Sequence, residues 1–524
     1  MNILFVLYRD FVANSANPLV LYARELHLSG HECAVAVPEN LETVSQHENV
    51  AFRPVLYSDV LSSPASVFPD GRPADVVHAC TPREVVRKFV TSYMAKQPTA
   101  LVIYLEDNEG WISTRALDFT DATLYQQTER AISERLPDAL SHPFRYDSFV
   151  GLADAAAVVQ DKLRAFVPPW VHCTTVIVGA DIEVFSPRPP SPSLRNRYGI
   201  SENEKVIVYH GSLNQFNRPA IQSLCTAVGL IRQRGVPCRL LRTGEGPLDF
   251  LGELPRNTAL AISDLGLLPR NALPDVLALA DVFVQPGKPD PFEDLRLPGK
   301  IGEFLAMGRP VIMPNTNIAG LFKDGVDAIV VQTGDPDEIA TRCIELFSDP
   351  PRAAKIGQAG RLMAERHFDA RVQAHLLEDA YKAALKVFDA VIARDVWNAS
   401  AANEPVALRL SQKLKRLAER NGKGMDANML REHARYIDLA QQRLLGLEAS
   451  LTTRDQEIVT LKQEIASLKQ EIASLKQEVA TLRHALAEAS EILSSPWRFA
   501  SDHVKAILRR LKARVRRLAN LSVL

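Results

Sequence analysis

Residues 289–315 constrain this chain most, because they predict a loop, a helix and a strand in close succession. Leu297-Pro298 suits the first turn of a helix, where the backbone amides have no intrahelical partner. Gly308 then ends the helix before the strand at residues 311–313. The segment therefore predicts a strand-helix fold with charged side chains at the start of one helix.

Lys300 and Glu303 lie one turn apart in this helix and so share a face. A lysine in the first turn opposes the helix dipole unless an anion lies nearby. Gly299 and Gly302 each cost about 1 kcal/mol relative to alanine within a helix. Residues that disfavour their own helix indicate a binding site, and a phosphate is the ligand that a helix start with a lysine suits. We therefore expect a nucleotide here.

The run LPGKIGEFLAMGRPVI resembles the nucleotide-sugar motif of retaining GT-B glycosyltransferases of family four. In that family a glutamate five residues before the glycine accepts hydrogen bonds from the donor ribose, a role that the resemblance gives to Glu303. A second family glutamate, eight residues upstream, falls on Leu295, which leaves Glu293 or Asp294 to meet the sugar ring. The alternative interpretation is an ordinary amphipathic helix with an incidental glutamate.

Two glycine turns follow predicted strands and resemble the phosphate and base contacts of the same family, although ordinary strand-to-helix turns are the alternative. The family's arginine and lysine clamp for the diphosphate is missing; Arg218 is the candidate for one, and Lys300 or Arg296 for the other. Lys300 and Glu303 are the predicted catalytic residues. The full predicted donor site consists of Gly211, Ser212, Arg218, Gly244, Gly246, Glu293, Asp294, Arg296, Lys300 and Glu303.

The acceptor side is expected at strand ends of the first domain, because such ends face the ligand crevice of a doubly wound sheet. No G-x-G-x-x-G fingerprint follows the first strand. A solvated loop is the alternative for the acidic residues. The predicted acceptor residues are Asn17, His78, Asp107, Asn108 and Glu109.

With 524 residues the chain exceeds a single core, so several domains are expected. The resemblance implies an α/β GT-B fold, two Rossmann-like domains facing across a cleft, followed by a helical region and a long coiled coil. The predicted organisation is an acceptor-side domain (1–185), a proline-rich linker (186–204), a nucleotide-sugar-binding domain (205–388), a helical region (389–450), a coiled coil (451–493) and a basic amphipathic tail (494–524).

Composition narrows the function classes. The net charge of −1 gives no overall case for nucleic acid, and the six cysteines form no CxxC pair, which disfavours a disulfide framework or a zinc site. The N-terminus lacks the features of a secretion signal, and no apolar run reaches 18 residues. We expect a cytoplasmic protein without a metal or cofactor, since members of the resembled family work without a bound metal.

The coiled-coil segment is a heptad array that contains IASLKQE twice. β-Branched residues at a with leucine at d favour a parallel two-stranded coil, and glutamates at g face lysines at e. A homodimer is therefore expected, with a single solvated helix as the alternative. The a positions are Ile458, Ile465, Ile472, Val479 and Leu486; the d positions are Leu461, Leu468, Leu475 and Leu482.

The tail is strongly basic, with eight Lys or Arg against two Asp or Glu in residues 491–524. Its apolar residues recur every three or four positions, and Trp497 and Phe499 precede them, a pattern typical of a helix at a membrane interface. We expect peripheral contact with the anionic cytoplasmic face of the inner membrane. Packing on the catalytic core or on a partner tail, and nucleic-acid binding, are the alternatives.

Together these features predict a glycosyltransferase that moves a sugar from a nucleotide-activated donor to a hydroxyl of a glycan or lipid-linked acceptor in surface polysaccharide synthesis. Retention of anomeric configuration is implied by the resemblance alone. Two alternatives stay open: a nucleotide-sugar epimerase on the same fold, and a non-catalytic GT-B head on a coiled-coil interaction protein.

Overall fold

The computed structural model describes residues 1–124, 127, 129–214, 217–397, 405–421, 425–451, 463–474, 477–478 and 481. Much of the predicted coiled coil and the whole predicted tail, residues 494–524, lie outside these ranges. The chain divides into two compact units. The first contains Met1–Trp111, Ala153–Arg164 and His172–Ala402; the second contains Ile112–Leu152, Ala165–Val171 and Asn403–Leu524.

The first unit holds two parallel sheets, and the N-terminal sheet has seven strands in the order β3-β2-β1-β4-β5-β6-β7. β1, β4, β5 and β6 are buried along their whole length, as expected for parallel strands covered on both faces. The strands are β1 Asn2–Val6, β2 Glu32–Val37, β3 Arg53–Leu56, β4 Val76–Cys80, β5 Ala100–Leu105, β6 Ala155–Val158 and β7 His172–Thr175.

The second sheet has six strands in the order β10-β9-β8-β11-β12-β13. Its strands are β8 Lys205–His210, β9 Cys238–Thr243, β10 Ile262–Asp264, β11 Val282–Val284, β12 Val311–Pro314 and β13 Ile329–Val331. In both sheets the strand order reverses beside the first strand, and such a reversal opens a ligand crevice at the carboxyl ends of the strands. The crevice of the second sheet therefore lies beyond His210 and Val284.

Helices connect the strands and continue beyond them. They are α1 Ala16–Leu28, α2 Tyr57–Ser62, α3 Glu84–Lys96, α4 Glu109–Ala116, α5 Asp121–Leu124, α6 Glu129–Arg135, α7 Tyr146–Gly151, α8 Pro192–Arg197, α9 Arg218–Gln233, α10 Arg256–Ala259, α11 Leu273–Leu277, α12 Lys300–Ala306, α13 Pro336–Ser348, α14 Pro350–Met363, α15 Ala370–Val387, α16 Ala390–Val396, α17 Val406–Asn421 and α18 Met425–Leu451.

Aspartates begin the helices α13 to α16, and in each case the side chain accepts a hydrogen bond from a backbone N–H of the first turn. Such a cap satisfies an amide that the helix itself leaves unpaired and is worth about 1 kcal/mol. The caps are Asp335, Asp349, Asp369 and Asp389.

After the second sheet the chain returns to the first, where α15 packs on α1 and on β5, β6 and β7. The Gln373 side-chain carbonyl accepts from the Ile177 amide at 2.8 Å. At the crossing, Ala180 forms a parallel β-bridge with Asp369. The Ala180 N–H donates to the Phe368 carbonyl at 2.6 Å, and the Ala370 N–H donates to the Ala180 carbonyl at 3.1 Å. The two passages of chain between the sheets are thus joined to each other.

The second unit combines a helical insertion with the C-terminal helices. The Lys413 ammonium donates to the Leu152 carbonyl at 2.6 Å, and the Ser411 hydroxyl donates to the Ala434 carbonyl at 3.1 Å. Residues 112–152, which the sequence places in the first domain, therefore cluster with α17 and α18. Periodicity along the chain does not reveal such packing, because it depends on residues more than 250 positions apart.

Part of the predicted coiled coil is described, and residues 463–474 are helical. Ile465, a predicted a position, is buried. The ammonium of Lys469 donates to the Gln127 carbonyl and lies 4.2 Å from the centre of the Phe144 ring. This heptad thus contacts the helical insertion of its own chain.

Two glycine turns meet at the end of β8 and β9. The strand register pairs His210 with Thr243, so the turns that follow lie side by side. Gly211 has φ +157° and Gly244 has φ +136°. A β-carbon at Gly244 would lie 2.5 Å from the Gly211 carbonyl carbon and oxygen, so only glycine allows this approach.

The buried guanidinium of Arg242 holds both turns in place. It donates to the carbonyl oxygens of Gly246 at 2.8 Å and Gly211 at 3.1 Å, and also to the Glu245 carbonyl. The Asp264 carboxylate, 3.0 Å away, balances its charge. Because one guanidinium donates to the inward carbonyls of both turns, their geometry is coupled.

We predict that Gly244→Ala lowers the melting temperature of the full chain by roughly 3–4 °C. The added methyl group must displace the backbone of Gly211, and the alanine must also adopt a positive φ. Together these two effects cost roughly 2–3 kcal/mol. Differential scanning calorimetry measures the shift.

Two other glycines provide controls. Gly235 has φ +84° with open space around it, so Gly235→Ala isolates the backbone cost and should shift the melting temperature less. Gly252 has open space and no positive φ, so Gly252→Ala should be nearly neutral. Equal shifts for Gly244→Ala and Gly235→Ala would contradict the predicted clash between the turns.

Candidate functional site

The ammonium of Lys300 lies at the Gly211 turn. A β-carbon at Gly211 would lie 2.9 Å from the Lys300 Nζ, which also donates to the Tyr209 hydroxyl at 3.4 Å and lies 4.9 Å from the centre of that ring. Backbone amides of a glycine turn together with a lysine make a suitable phosphate site. The structure therefore brings together two parts of the predicted donor site, Gly211 and Lys300.

The helix that carries Lys300 is shorter than predicted, because α12 begins at Lys300 and ends at Ala306. The reason for its glycines also differs. A β-carbon at Gly302 would lie 3.0 Å from the Phe368 ring, and one at Gly299 would lie 3.0 Å from Val178. Close packing at the crossing between the sheets thus accounts for both glycines, and the sequence argument that they indicate a ligand is wrong.

Glu303 is buried, with 8% of its side chain exposed, and a basic side chain contacts each of its carboxylate oxygens. The His210 ring Nε2 lies 2.5 Å from Oε2, and the Arg270 guanidinium donates to Oε1. Burial raises the pKa of this carboxyl group, but Arg270 and His210 outweigh burial and bring the pKa to about 2. Glu303 is therefore ionised and can only accept hydrogen bonds.

Sequence reasoning missed His210 and Arg270. His210 could have been found, since it ends the first strand of the second sheet, beside the reversal in strand order. Arg270 lies in a 3-10 turn, Arg270–Ala272, which follows β10 after an irregular connection, and no periodic pattern indicates it.

The two candidates for the sugar contact differ in their surroundings. The Asp294 carboxylate accepts hydrogen bonds from the Lys162 ammonium, from the Thr316 hydroxyl at 3.1 Å and from the Asn317 amide at 3.2 Å. Glu293 is paired with Arg296 at 3.0 Å. Burial raises the pKa of Glu293, although Arg296 opposes that change. Asp294 thus holds the loop in place, and Glu293 is the more poorly solvated acid.

Acidic residues follow β5 and face this loop. The Ser15 hydroxyl donates to Glu106 Oε2 at 2.6 Å, and Arg83 lies 3.4 Å from Glu109. Burial, followed by the charge of Glu109, raises the pKa of Asp107 to about 6, although Arg83 and Arg296 oppose the shift. Burial also raises the pKa of Glu106 to about 7.

Aromatic stacking connects the acidic residues to the loop at residues 289–296. The Trp111 ring stacks on Phe292 with centroids 4.5 Å apart, and the Asn108 side-chain oxygen accepts from the Trp111 amide at 3.1 Å. Asp107, Asn108 and Glu109 therefore lie near Glu293 and Arg296.

Other predicted residues lie elsewhere. His78 is buried in the core, where its Nδ1 lies 2.9 Å from the Tyr381 hydroxyl, and burial lowers its pKa to about 3. It cannot contact an acceptor, because α15 covers the strand that carries it. Arg218 pairs with Asp249 at 2.6 Å, Ser212 Oγ accepts from the Glu245 amide, and Asn17 is exposed in the first turn of α1.

Within the described ranges, no three His, Cys, Asp or Glu side chains are placed to hold a metal ion. The sequence contains one Asp-Pro-Asp triplet, but Asp335 caps α13 and Asp337 pairs with Arg234. None of the described helices is long and apolar enough to cross a membrane.

Residues 204–349, which contain the second sheet, match the family model described as glycosyl transferases group 1. This match supports membership of that family. Among curated relatives, the chain is 24% identical over 249 residues to D-inositol 3-phosphate glycosyltransferase of Thermobispora bispora, covering 45% of this chain and 56% of the relative. It is 31% identical over 198 residues to the GDP-mannose-dependent alpha-(1-6)-phosphatidylinositol monomannoside mannosyltransferase of Mycolicibacterium smegmatis, covering 35% and 49%. The chain spans about half the length of the curated relatives it matches.

Solved structures confirm the predicted GT-B fold. Anabaena Alr3699/HepE in complex with UDP-glucose has a TM-score of 0.53 at 17% identity, over 73% of this chain and 99% of that one. TarM has a TM-score of 0.52 at 8% identity, over 72% and 98%. At these identities the likeness concerns the fold alone.

We predict that Lys300→Met weakens binding of a nucleoside diphosphate about 10- to 100-fold and leaves binding of the matching nucleoside nearly unchanged. One charge-assisted hydrogen bond to phosphate is worth about 1.5–3 kcal/mol. Calorimetric titration with paired nucleosides and nucleoside diphosphates measures both. Lys355→Met, which removes an exposed charge from α14, is the control. Equal losses for both ligands would count against a phosphate contact.

Proposed function

We propose that this chain transfers a sugar from a nucleotide-activated donor to a hydroxyl of a glycan or lipid-linked acceptor, with retention of anomeric configuration. The observation that carries the proposal is the meeting of the Gly211 turn, the Lys300 ammonium and the ionised Glu303 at one crevice of the second sheet. A polar site of this kind suits a diphosphate joined to a ribose. The family match over the same residues supports it.

The donor site stabilises the leaving group. Negative charge develops on the nucleoside diphosphate as the glycosidic bond breaks, and fixed donors near that charge lower the barrier. The Lys300 ammonium, which lies at the Gly211 turn, supplies such a donor. Glu303 accepts from ribose hydroxyls. No metal is required in this scheme.

The acceptor would lie against the acids that follow β5. Asp107 and Glu109 can accept hydrogen bonds from a sugar hydroxyl, and Trp111 with Phe292 offers an apolar surface for a pyranose ring. Relatives named for surface or lipid glycosylation, such as the phosphatidylinositol monomannoside mannosyltransferase, favour a role in polysaccharide or glycolipid synthesis.

A transfer assay tests the activity. The full chain is incubated with labelled UDP-glucose or GDP-mannose and with a lipid and glycan extract, and product and free nucleoside diphosphate are measured. We expect transfer that Glu303→Gln reduces at least about 100-fold, because the neutral amide presents donors where the ribose requires acceptors. Glu253→Gln, at an exposed glutamate, should retain activity.

Other outcomes separate the alternatives. Epimerised free donor without transfer would indicate a nucleotide-sugar epimerase. Donor binding without transfer to any acceptor would indicate a non-catalytic head. The observation that favours this alternative is that Arg218, the candidate for the diphosphate clamp, pairs with Asp249. Magnetic resonance of the product reports the anomeric configuration.

We further propose that the heptads of residues 451–493 form a parallel homodimer and that the basic tail of residues 494–524 binds an anionic membrane. The sequence supports both, through the purity of the a and d positions and the excess of basic residues. Two tails on one dimer would strengthen a weak membrane contact by avidity. Dimerisation through the described heptad requires that Ile465 and Lys469 leave their intrachain contacts.

Truncations test these two segments. Light scattering should give a dimer for the full chain and a monomer for a chain ending at Leu451, which keeps α17 and α18. The full chain should pellet with anionic vesicles at low salt and release as salt rises, whereas a chain ending at Leu493 should stay soluble. A monomeric full chain would refute the proposed coiled-coil homodimer. Equal pelleting of the full chain and the chain ending at Leu493 would refute membrane binding by the tail.

A further inference from the structure

Two basic side chains from separate parts of the chain converge on Glu303. His210 ends β8, and Arg270 lies in the turn that follows β10. His210 contacts Oε2 and Arg270 contacts Oε1, so each carboxylate oxygen has one partner. The Arg270 guanidinium also lies 5.1 Å from the centre of the Phe185 ring, which restricts its position.

This arrangement determines what Glu303 can do. A buried carboxyl group without a charged partner tends to take up a proton and becomes a donor. With Arg270 on one oxygen and the His210 ring on the other, the group stays ionised and keeps about two free lone-pair positions. Two acceptor positions on one carboxylate match the two hydroxyls of a ribose diol.

We propose that Arg270 is a positioning residue that keeps Glu303 charged and oriented toward the ribose diol of the donor. This inference rests on the proposed function. In this proposal Arg270 acts on nucleoside binding through Glu303. Arg270 itself does not contact the reacting atoms. Arg270 is partly exposed, with 39% of its side chain accessible, so it can be replaced without opening the core.

The proposal predicts a pH dependence that appears only when Arg270 is lost. Arg270 lowers the pKa of Glu303, so its removal lets burial raise that pKa. The carboxylate is then lost as pH falls through the raised value, and ribose binding is lost with it. The other ionisable groups near Glu303 are His210, which contacts Oε2, and, one turn earlier on α12, Lys300. Both remain in wild type and variant, so the difference between the two profiles reports the loss of Arg270 from the pair of Glu303 and His210.

Binding by the full chain tests this inference. Ribonucleosides, their 2′-deoxy counterparts and the nucleoside diphosphates UDP and GDP are titrated between pH 5 and pH 8 into wild type, Arg270→Met and Arg270→Lys. We expect Arg270→Met to bind ribonucleoside at least about tenfold more weakly at pH 5 than at pH 8, relative to wild type. Its preference for ribose over deoxyribose should also disappear. Arg270→Lys should restore both properties in part.

The controls separate three outcomes. Arg256→Met removes an exposed arginine from α10, and its profile should follow wild type. If wild type binds the nucleotide and the Arg270→Met profile is unchanged, Arg270 does not position Glu303. If Arg270→Met loses nucleoside diphosphate but not nucleoside affinity, Arg270 contacts phosphate and the inference is overturned. If wild type binds neither UDP nor GDP, the proposed function fails instead. Should Arg270→Met unfold, Arg270→Lys still gives the pH comparison.

Discussion

The buried guanidinium of Arg242 is the interaction on which the donor side of this protein depends. Two glycine turns can lie backbone against backbone only if their inward carbonyls find donors, because water is excluded there. Arg242 supplies four hydrogen bonds to three carbonyls and one carboxylate.

Charge compensation recurs through the site. Arg242 is balanced by Asp264, Glu303 by Arg270 and His210, and Arg83 by the acids around it. Each buried charge would be costly alone, since unpaired ions lose their hydration. Pairing lets several ionised groups stay close to one crevice, which is the condition for binding a charged and polar donor.

The sequence allowed prediction of those parts of the structure that depend on local residue patterns. Buried strands, helix ends and glycine turns follow from short-range rules, and they placed Lys300 beside Gly211 correctly. Prediction failed where partners are remote in sequence. His78 lies in the middle of β4 and contacts Tyr381 of a helix about 300 residues later, and Gly302 is small because Phe368 packs against it. Arg270 has no local signal, since its importance comes from a contact with a helix 33 residues away.

The β-bridge between Ala180 and Asp369 changes what a break in the linker would do. The chain leaves the first sheet near Ala180, builds the second sheet, and returns through α15, which packs on the first sheet. A protease cut within residues 186–204 would therefore produce two fragments that remain associated, because the later fragment carries a helix belonging to the core of the earlier one.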